Sequence, residues 1–151
     1  MMTDEQADRL AIREMLENWV VWRDSGDWER FRSLWHDGGE MHATWMQGNV
    51  DAMQRAVVHD IECDVTCSGR FYDFLEKRQK SWGFVVRQGI YEKDRIDPVD
   101  PAATLRLDRA TLERFPEGYR HLAYLQTAAG MTVKPDMPGL RGLEVEALYA
   151  R

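Results

Sequence analysis

The stretch Val20–Phe31 reads VVWRDSGDWERF, and it predicts the end of one helix and the start of another. Apolar residues lead up to it at every fourth position, at Ile12, Leu16 and Val20, which is the spacing of an amphipathic helix. Gly26 can take the left-handed conformation that ends a helix, and Asp27 can accept backbone hydrogen bonds at the start of the next one. Asp24 is the next member of the apolar row, so a carboxylate stands where an apolar side chain is expected.

The residues around this stretch predict the bounds of both helices. Upstream, Thr3 followed by Gln6 forms a capping box, which predicts that the first helix begins there and ends at Gly26. Downstream, a short second helix is predicted from Trp28 to about Trp35, and the turn HDGG is expected to close it.

The residues that follow alternate with a period of two, which predicts strands. The first strand starts at Glu40, and a second alternation continues through the segment GRFYDFLE with one apolar face formed by Ile61, Cys63, Val65, Cys67 and Phe71. After the turn KRQK, a third strand places Trp82, Phe84, Val86 and Ile90 on one face and Val85, Arg87 and Tyr91 on the other. Two helices followed by long antiparallel strands make an α+β chain.

The composition is typical of a soluble globular chain. Hydrophobic residues make up 44% and charged residues 30% of the 151 positions. A net charge of -6 provides no attraction for phosphate backbones, so nucleic acid is not expected as a partner. All six Trp lie at or before Trp82 and all five Pro at or after Pro98. This asymmetry predicts a single domain, residues 1–151, with a core of residues 1–96 and a wrapping tail of residues 97–151.

The N-terminus and the cysteines indicate the compartment. The start MMTDEQADRL has no signal-peptide features, and no apolar run approaches the ~20 residues of a membrane span, so we expect a cytoplasmic protein that does not enter a membrane. Cys63 and Cys67 stand about 13 Å apart along a strand, which excludes a mutual disulfide and predicts two buried, reduced thiols. Since no metal-binding or nucleotide-binding spacing occurs, we expect no metal and no cofactor.

The four histidines offer few catalytic candidates. His36 is predicted at a helix end, His42 on the outward face of the first strand and His59 in a hairpin turn, so all three are expected at the surface. His121 lies in a predicted tail helix, PEGYRHLAYLQTAAG, which Pro116 starts and Gly130 ends. It could reach a pocket only if the tail folds over the opening.

The long first helix, the DSGDW turn at Asp24–Trp28 and the hairpin GRFYDFLEKRQKSWGFVVRQGIYEKD together resemble the nuclear transport factor 2-like, or SnoaL-like, superfamily. The resemblance covers about residues 5–48 and 61–94, and the turn is typical of a scytalone-dehydratase-like subgroup. It implies a cone in which a strongly bent antiparallel sheet wraps around the N-terminal helix and encloses an apolar pocket. An irregular helical C-terminal tail would follow, and many such proteins are homodimers.

In that subgroup, an aspartate at the position of Asp24 reaches into the pocket and works with a histidine from a later strand. The histidine does not carry over, because between Asn49 and Arg55 this chain passes from the start of a third helix into the end of a later strand. Met53 stands where another pocket histidine is expected. Two interpretations remain open: either the protein has a trimmed cone, or a segment is absent from this sequence.

The position of Asp24 at the end of a helix predicts an unusual pKa for its carboxyl. The carbonyl end of a helix disfavours an anion by ~0.3 to 1 kcal/mol, and apolar neighbours on its row would raise the pKa of its carboxyl above the ordinary value. A carboxylate of this kind can accept or relay a proton. The alternative interpretation is that Asp24 is solvated and only begins the turn through a hydrogen bond from its side chain to the backbone.

These observations and the resemblance predict a cofactor-free enzyme of the dehydratase, isomerase or cyclase type. Asp24 would act on a small, mostly apolar hydroxylated or carbonyl compound held by Leu16, Val20, Met41, Phe71 and Ile90. The alternative is a non-catalytic small-molecule-binding or dimerisation module of the same fold. Large side chains at Val85, Arg87 and Tyr91 on a face expected to be polar predict a homodimer through that face.

Overall fold

The structure is a computed structural model that describes residues 2–44, 46–49, 63–102 and 104–151. The predicted turn at His59 and the junction from position 50 to Arg55, with Met53, lie outside the described residues. Nine described elements follow one another in the order α1 (Asp4–Ser25), α2 (Trp28–Ser33), β1 (Trp35–Ala43), β2 (Met46–Asn49), β3 (Cys63–Arg78), β4 (Ser81–Pro98), α3 (Arg109–Leu112), α4 (Arg120–Ala128) and α5 (Leu143–Tyr149).

The caps predicted for the first two helices are confirmed. Thr3 Oγ1 accepts the backbone N–H of Gln6 at 3.2 Å, and Gln6 Oε1 accepts the backbone N–H of Thr3 at 3.0 Å. Gly26 ends α1 in the left-handed conformation with φ 72°. The carboxylate of Asp27 accepts the backbone N–H of Arg30 at 3.2 Å, so it satisfies one of the free donors at the start of α2.

The prediction that HDGG forms a turn is wrong, because these residues belong to β1, which already begins at Trp35. Gly39 is required there by a close approach between strands: a Cβ at this position would lie 2.9 Å from the carbonyl oxygen of Phe84. A Cβ on Gly83 would lie 2.9 Å from the ring of His36. The glycines therefore allow β1 and β4 to pack closely, where the sequence pattern indicated a loop.

The sheet has the strand order β2-β1-β4-β3. Gln79 and Lys80 join β3 to β4 with φ values of 49° and 68°, the conformation of a two-residue turn between antiparallel strands, so the predicted hairpin is confirmed. Gly83 lies against His36, and Gly89, six residues later, lies against the carbonyl of His42. Moving six residues along β1, from His36 to His42, matches moving six residues in the same sense along β4, from Gly83 to Gly89. Strands β1 and β4 are therefore parallel.

The α+β class, the long N-terminal helix and the irregular helical tail are confirmed. Pro116 does not start the tail helix, which begins four residues later at Arg120. The reason is that Pro116 accepts the backbone N–H of Tyr119 within a separate turn. Gly130 follows the helix in the left-handed conformation with φ 81°, as predicted.

The described residues form two compact units, each with its own core. One unit contains residues 2–41, 48–49 and 73–87, and the other contains 42–44, 46–47, 63–72, 88–102 and 104–151. In the first unit, the aromatic core consists of Trp19, Phe31, Trp35 and Phe84, with successive ring centroids 5.7, 6.3 and 5.0 Å apart. The second unit has one cluster around Phe115, Tyr119, Ala123 and Met137 and another formed by Ile90, Val145 and Leu148.

Candidate functional site

Asp24 lies in the last turn of α1, and its side chain is 58% exposed. Its Oδ1 accepts a hydrogen bond from Nε of Arg23 at 2.7 Å. This hydrogen bond holds the pKa of Asp24 below its ordinary value of 3.8, although partial desolvation acts in the opposite direction. The predicted rise of that pKa is wrong, because the row that leads to Asp24 is not buried: Val20, one turn earlier, is itself exposed.

The five residues predicted to line a pocket have different surroundings. In the first unit, Leu16 is half-buried, Val20 is exposed and Met41 is buried. In the second unit, Phe71 is exposed, whereas Ile90 is buried against Val145 and Leu148 of α5. Their common role as a substrate lining stays a prediction.

Arg87 does not lie on an outward face with Val85 and Tyr91, so the predicted dimer face is wrong at this residue. Its side chain is only 7% exposed, and the guanidinium carbon lies 4.2 Å from the centre of the Trp19 ring. Its Nη1 lies 3.4 Å from Oδ2 of Asp73. Arg87 is buried because a planar guanidinium can stack on an aromatic face while a carboxylate balances its charge.

Burial dominates the electrostatics of this Asp73–Arg87 pair. Desolvation raises the pKa of Asp73, although the positive charge of Arg87 acts in the opposite direction. Desolvation also lowers the pKa of Arg87 to about 10, despite the charge of Asp73. Oδ1 of Asp73 is buried and has no hydrogen-bond partner in the described part of the chain. The pair ties the β3–β4 hairpin to α1 through Trp19 and is best explained as a structural element.

A histidine and a carboxylate meet in the second unit. Nδ1 of His121, in the first turn of α4, lies 2.8 Å from Oδ1 of Asp94 on β4. The other oxygen, Oδ2, accepts the backbone N–H of Leu122 at 2.8 Å. The side chain of Asp94 is 0% exposed and that of His121 is 26% exposed. Because an ionised carboxylate only accepts, the hydrogen of this contact is assigned to Nδ1, and in the neutral form of the ring the lone pair is then at Nε2.

Local folding explains why Asp94 occupies this position. The N-cap residue of α4, Tyr119, offers no side-chain hydrogen bond, so the free N–H groups of the first turn need an acceptor from another element. Asp94 supplies it at Leu122, where the helix dipole also favours a negative charge. No sequence pattern indicated Asp94, which is 27 positions from His121. An uncapped helix start is the only signal that could have indicated it.

A buried polar network lies in the same unit. The hydroxyl oxygen of Tyr91 accepts the backbone N–H of Thr44 at 3.3 Å. Oγ1 of Thr44 donates to Oε1 of Gln126, on α4, at 2.9 Å. Burial raises the pKa of Tyr91, whereas its hydrogen bonds with the backbone and the side chain of Thr44 act in the opposite direction. Tyr91 therefore keeps its hydroxyl proton at neutral pH.

The remaining predicted residues have structural surroundings. His36 contacts the carbonyl oxygen of Glu76 through Nε2 at 2.8 Å, and both His36 and His42 are half-buried and not at the surface as predicted. Cys63 and Cys67 are free thiols, but Cys67 is exposed, which corrects the expectation that both are buried. Within residues 2–44, 63–102 and 104–151, no three His, Cys, Asp or Glu side chains come together as a metal site. No described helix is both long and apolar enough to cross a membrane.

Comparisons with known proteins find one matching family and several relatives. Residues 4–62 match the family described as a SnoaL-like domain. The chain is 34% identical to Pea pathogenicity protein 2 of Fusarium vanettenii, with 89% of this chain and 76% of that protein aligned. It is 32% identical, over the same shares, to a PEP2-like protein of the same fungus. An uncharacterized protein of Emericella nidulans is 29% identical, again with 89% and 76% aligned.

The alignment with the pea pathogenicity protein is longer than the aligned part of this chain. It spans 177 positions, whereas 89% of this 151-residue chain is about 134 residues. The relative therefore has about 43 aligned positions for which this chain has no residue. This surplus is large enough for a helix and a strand, the elements that the sequence analysis found to have no counterpart here.

Proposed function

This chain belongs to the SnoaL-like family, and we propose that it is a cofactor-free enzyme that transfers a proton on a small hydroxylated or carbonyl compound. The family includes polyketide cyclases and isomerases, which supports an enzymatic role. One observation carries the proposal: the side chain of Asp94 is fully buried and contacts Nδ1 of His121 at 2.8 Å, while the side chain of His121 is 26% exposed. A base oriented by a buried carboxylate is the arrangement that general acid–base catalysis requires.

His121 and Asp94 have distinct roles in the proposed reaction. The lone pair at Nε2 of His121 takes a proton from a carbon next to a carbonyl, and the C–H electron pair moves toward the carbonyl oxygen. Asp94 stabilises the positive ring that forms. In a dehydration, the same proton returns to the hydroxyl that leaves as water; in an isomerisation, it returns to another carbon of the substrate. No oxidant or reductant is needed in either case.

Asp24 remains the second candidate base. Its lowered pKa keeps it ionised at neutral pH, so it can accept a proton, but the hydrogen bond from Arg23 weakens its basicity. Leu16, Val20, Met41, Phe71 and Ile90 remain the proposed apolar substrate contacts. A scytalone-dehydratase-like lyase is the specific form of the proposal that the DSGDW turn favours.

Deuterium exchange tests the proposal without knowledge of the natural substrate. Small ketones, phenolic ketones and hydroxyketones are incubated with the protein in D2O, and deuterium next to the carbonyl is measured by mass spectrometry. The wild type should catalyse exchange, and His121→Gln should lower its rate by roughly 100-fold or more. His36→Gln is the matched control and should keep the wild-type rate. Equal rates in the wild type and His121→Gln would exclude His121 as the base.

The alternative function is a non-catalytic small-molecule-binding or dimerisation module. One observation favours it: Oδ2 of Asp94 caps α4 through Leu122, so the His121–Asp94 contact could serve the fold alone. If no compound exchanges in the presence of the wild type, this alternative takes the place of the enzyme. The homodimer also stays a proposal, and light scattering that shows a monomer at micromolar concentration would contradict it.

A further inference from the structure

We infer that a groove between α1 and the β3–β4 hairpin is a further binding site, and that it takes a small aromatic acid that carries a hydroxyl group. This α1–hairpin groove is lined by residues of Ala7–Asn18 on α1 and of Lys77–Trp82 on the hairpin, together with the end of α2. Its volume of about 470 Å³ falls within the range of roughly 300 to 1,000 Å³ that small-molecule sites occupy. The inference does not depend on the proposed function, because the groove belongs to the first unit and His121 to the second.

The helical spacing of α1 explains the shape of the groove. Ala7, Ala11 and Met15 follow one another at every fourth position and line the groove from one face of the helix. The two alanines are short, so they leave space beside the hairpin. Met15 and Leu34 are buried core residues that also line the groove, so its floor is apolar. An apolar floor of this kind favours a ligand with a hydrophobic body.

Trp82 supplies an aromatic wall, and its position is fixed by hydrogen bonds. Oδ1 of Asp8 accepts the indole N–H of Trp82 at 3.0 Å and a hydrogen bond from Nζ of Lys77 at 2.5 Å. The Asp8 carboxylate thus ties α1 to both strands of the hairpin. Trp82 is half-buried, and no aromatic ring in the described part of the chain stacks on it. Because aromatic rings pair well in stacked or tilted arrangements, the ligand is expected to present a ring to Trp82.

The charges that line the groove define the polar groups of the ligand. Lys77 and Asp8 balance each other. Lys80 on the hairpin and Glu14 on α1 also line the groove, and within the described ranges neither side chain makes an ion pair or a hydrogen bond. One wall therefore offers a cation and the other an acceptor. A carboxylate on the ligand would pair with Lys80, and a hydroxyl at the other end of its ring would donate to Glu14.

Titration with 4-hydroxybenzoate tests the inference. The readout is the indole N–H signal of Trp82 in proton–nitrogen NMR spectra, which Trp82→Phe assigns. We expect a saturable shift of this signal at millimolar concentrations of the probe or below. Two related compounds each lack one polar group: 4-methylphenol has no carboxylate, and benzoate has no hydroxyl. Each should bind roughly 5-fold more weakly than 4-hydroxybenzoate, because ion pairs and hydrogen bonds at an open groove are screened by solvent.

Two variants connect these preferences to the residues. Lys80→Asn removes the cation and suits the turn, since Asn tolerates the left-handed conformation that Lys80 adopts at φ 68°. In this variant, 4-hydroxybenzoate and 4-methylphenol should bind equally. In Glu14→Ala, 4-hydroxybenzoate and benzoate should bind equally. Lys93→Asn removes a lysine that does not line the groove, so this control should keep both preferences.

Each outcome decides one claim. A Trp82 signal that none of the three compounds shifts overturns the site. A preference for 4-hydroxybenzoate over 4-methylphenol that survives in Lys80→Asn overturns the assigned carboxylate contact. If Lys80→Asn fails to fold, as circular dichroism would show, Glu14→Ala decides whether the groove recognises the ligand. Deuterium exchange that ignores His121 would overturn the proposed base and leave this site standing.

Discussion

Asp73 and Arg87 face each other with Oδ2 and Nη1 3.4 Å apart, and both side chains are largely buried. Arg87→Ala should therefore lower the free energy of unfolding by about 3 to 5 kcal/mol, because it leaves the carboxylate of Asp73 buried without its countercharge. Urea denaturation measures the loss. Arg13→Ala, which removes an exposed i,i+4 pair with Glu17, is the control and should leave the urea midpoint nearly unchanged.

The double variant Asp73→Leu with Arg87→Met should recover most of that loss, because no unpaired charge stays buried. The apolar side chains also fill a similar volume against Trp19 and Phe84. A double variant that is as unstable as Arg87→Ala would show that stacking of the guanidinium on Trp19, and not charge balance, holds the hairpin to α1.

The stabilising effect of Asp73 should depend on pH in a defined direction. Its pKa is raised by burial, so the folded protein holds the proton to a higher pH than the unfolded chain does. The carboxyl favours folding below its ordinary value of 3.8, and this contribution is lost as pH rises through the raised pKa. The unfolding free energy of the wild type minus that of Asp73→Asn should therefore fall with rising pH. A difference that grows with pH would mean that attraction to Arg87 dominates.

Gly118 and Gly139 both approach the carbonyl oxygen of Tyr91, but at different distances. A Cβ on Gly118 would lie 2.2 Å from that oxygen, whereas a Cβ on Gly139 would lie 3.6 Å away. Gly118→Ala should lower the free energy of unfolding by about 1 to 3 kcal/mol, because the tail must move away from β4. Gly139→Ala should have little effect. Thermal unfolding of the two variants tests this, and equal melting temperatures would contradict it.

Asp24→Asn should leave the fold intact, because the side chain is exposed and its ion pair with Arg23 is screened by solvent. We expect the free energy of unfolding to change by no more than about 0.5 kcal/mol. The rate of deuterium exchange catalysed by Asp24→Asn then shows whether Asp24 takes part in catalysis. An exchange rate that falls as steeply as in His121→Gln would identify Asp24 as a catalytic group after all.

Local signals in the sequence predicted much of the fold. The capping box at Thr3, the αL cap at Gly26 and the cap at Asp27 depend on residues within a few positions of each other, and all three are confirmed. The hairpin was predicted from the alternation on both sides of KRQK, and in the structure only Gln79 and Lys80 of that segment form the turn. The start of β1 was missed because Gly39 serves a close approach to Phe84, which is 45 positions away and cannot be seen in a local pattern.

The candidate site was harder to predict because it depends on contacts between distant residues. The apolar row ending at Asp24 predicted a buried carboxylate, but a row can be apolar and still exposed, as Val20 shows. The burial of Arg87 depends on Trp19, and the environment of His121 depends on Asp94. Trp19 is not part of the strand alternation that contains Arg87, and Asp94 is not part of the helical pattern that contains His121. Both contacts therefore become visible only in the folded chain.

Nitrogen-15 NMR of the His121 ring tests the central relationship most directly. The neutral ring should carry its hydrogen on Nδ1, because Oδ1 of Asp94 can only accept, so Nε2 should show the chemical shift of an unprotonated nitrogen. Asp94→Asn should weaken this preference, and the exchange rate should fall with it. A wild-type ring that carries its hydrogen on Nε2 at neutral pH would contradict the account, because the nitrogen assigned as the base would then have no lone pair to accept a proton.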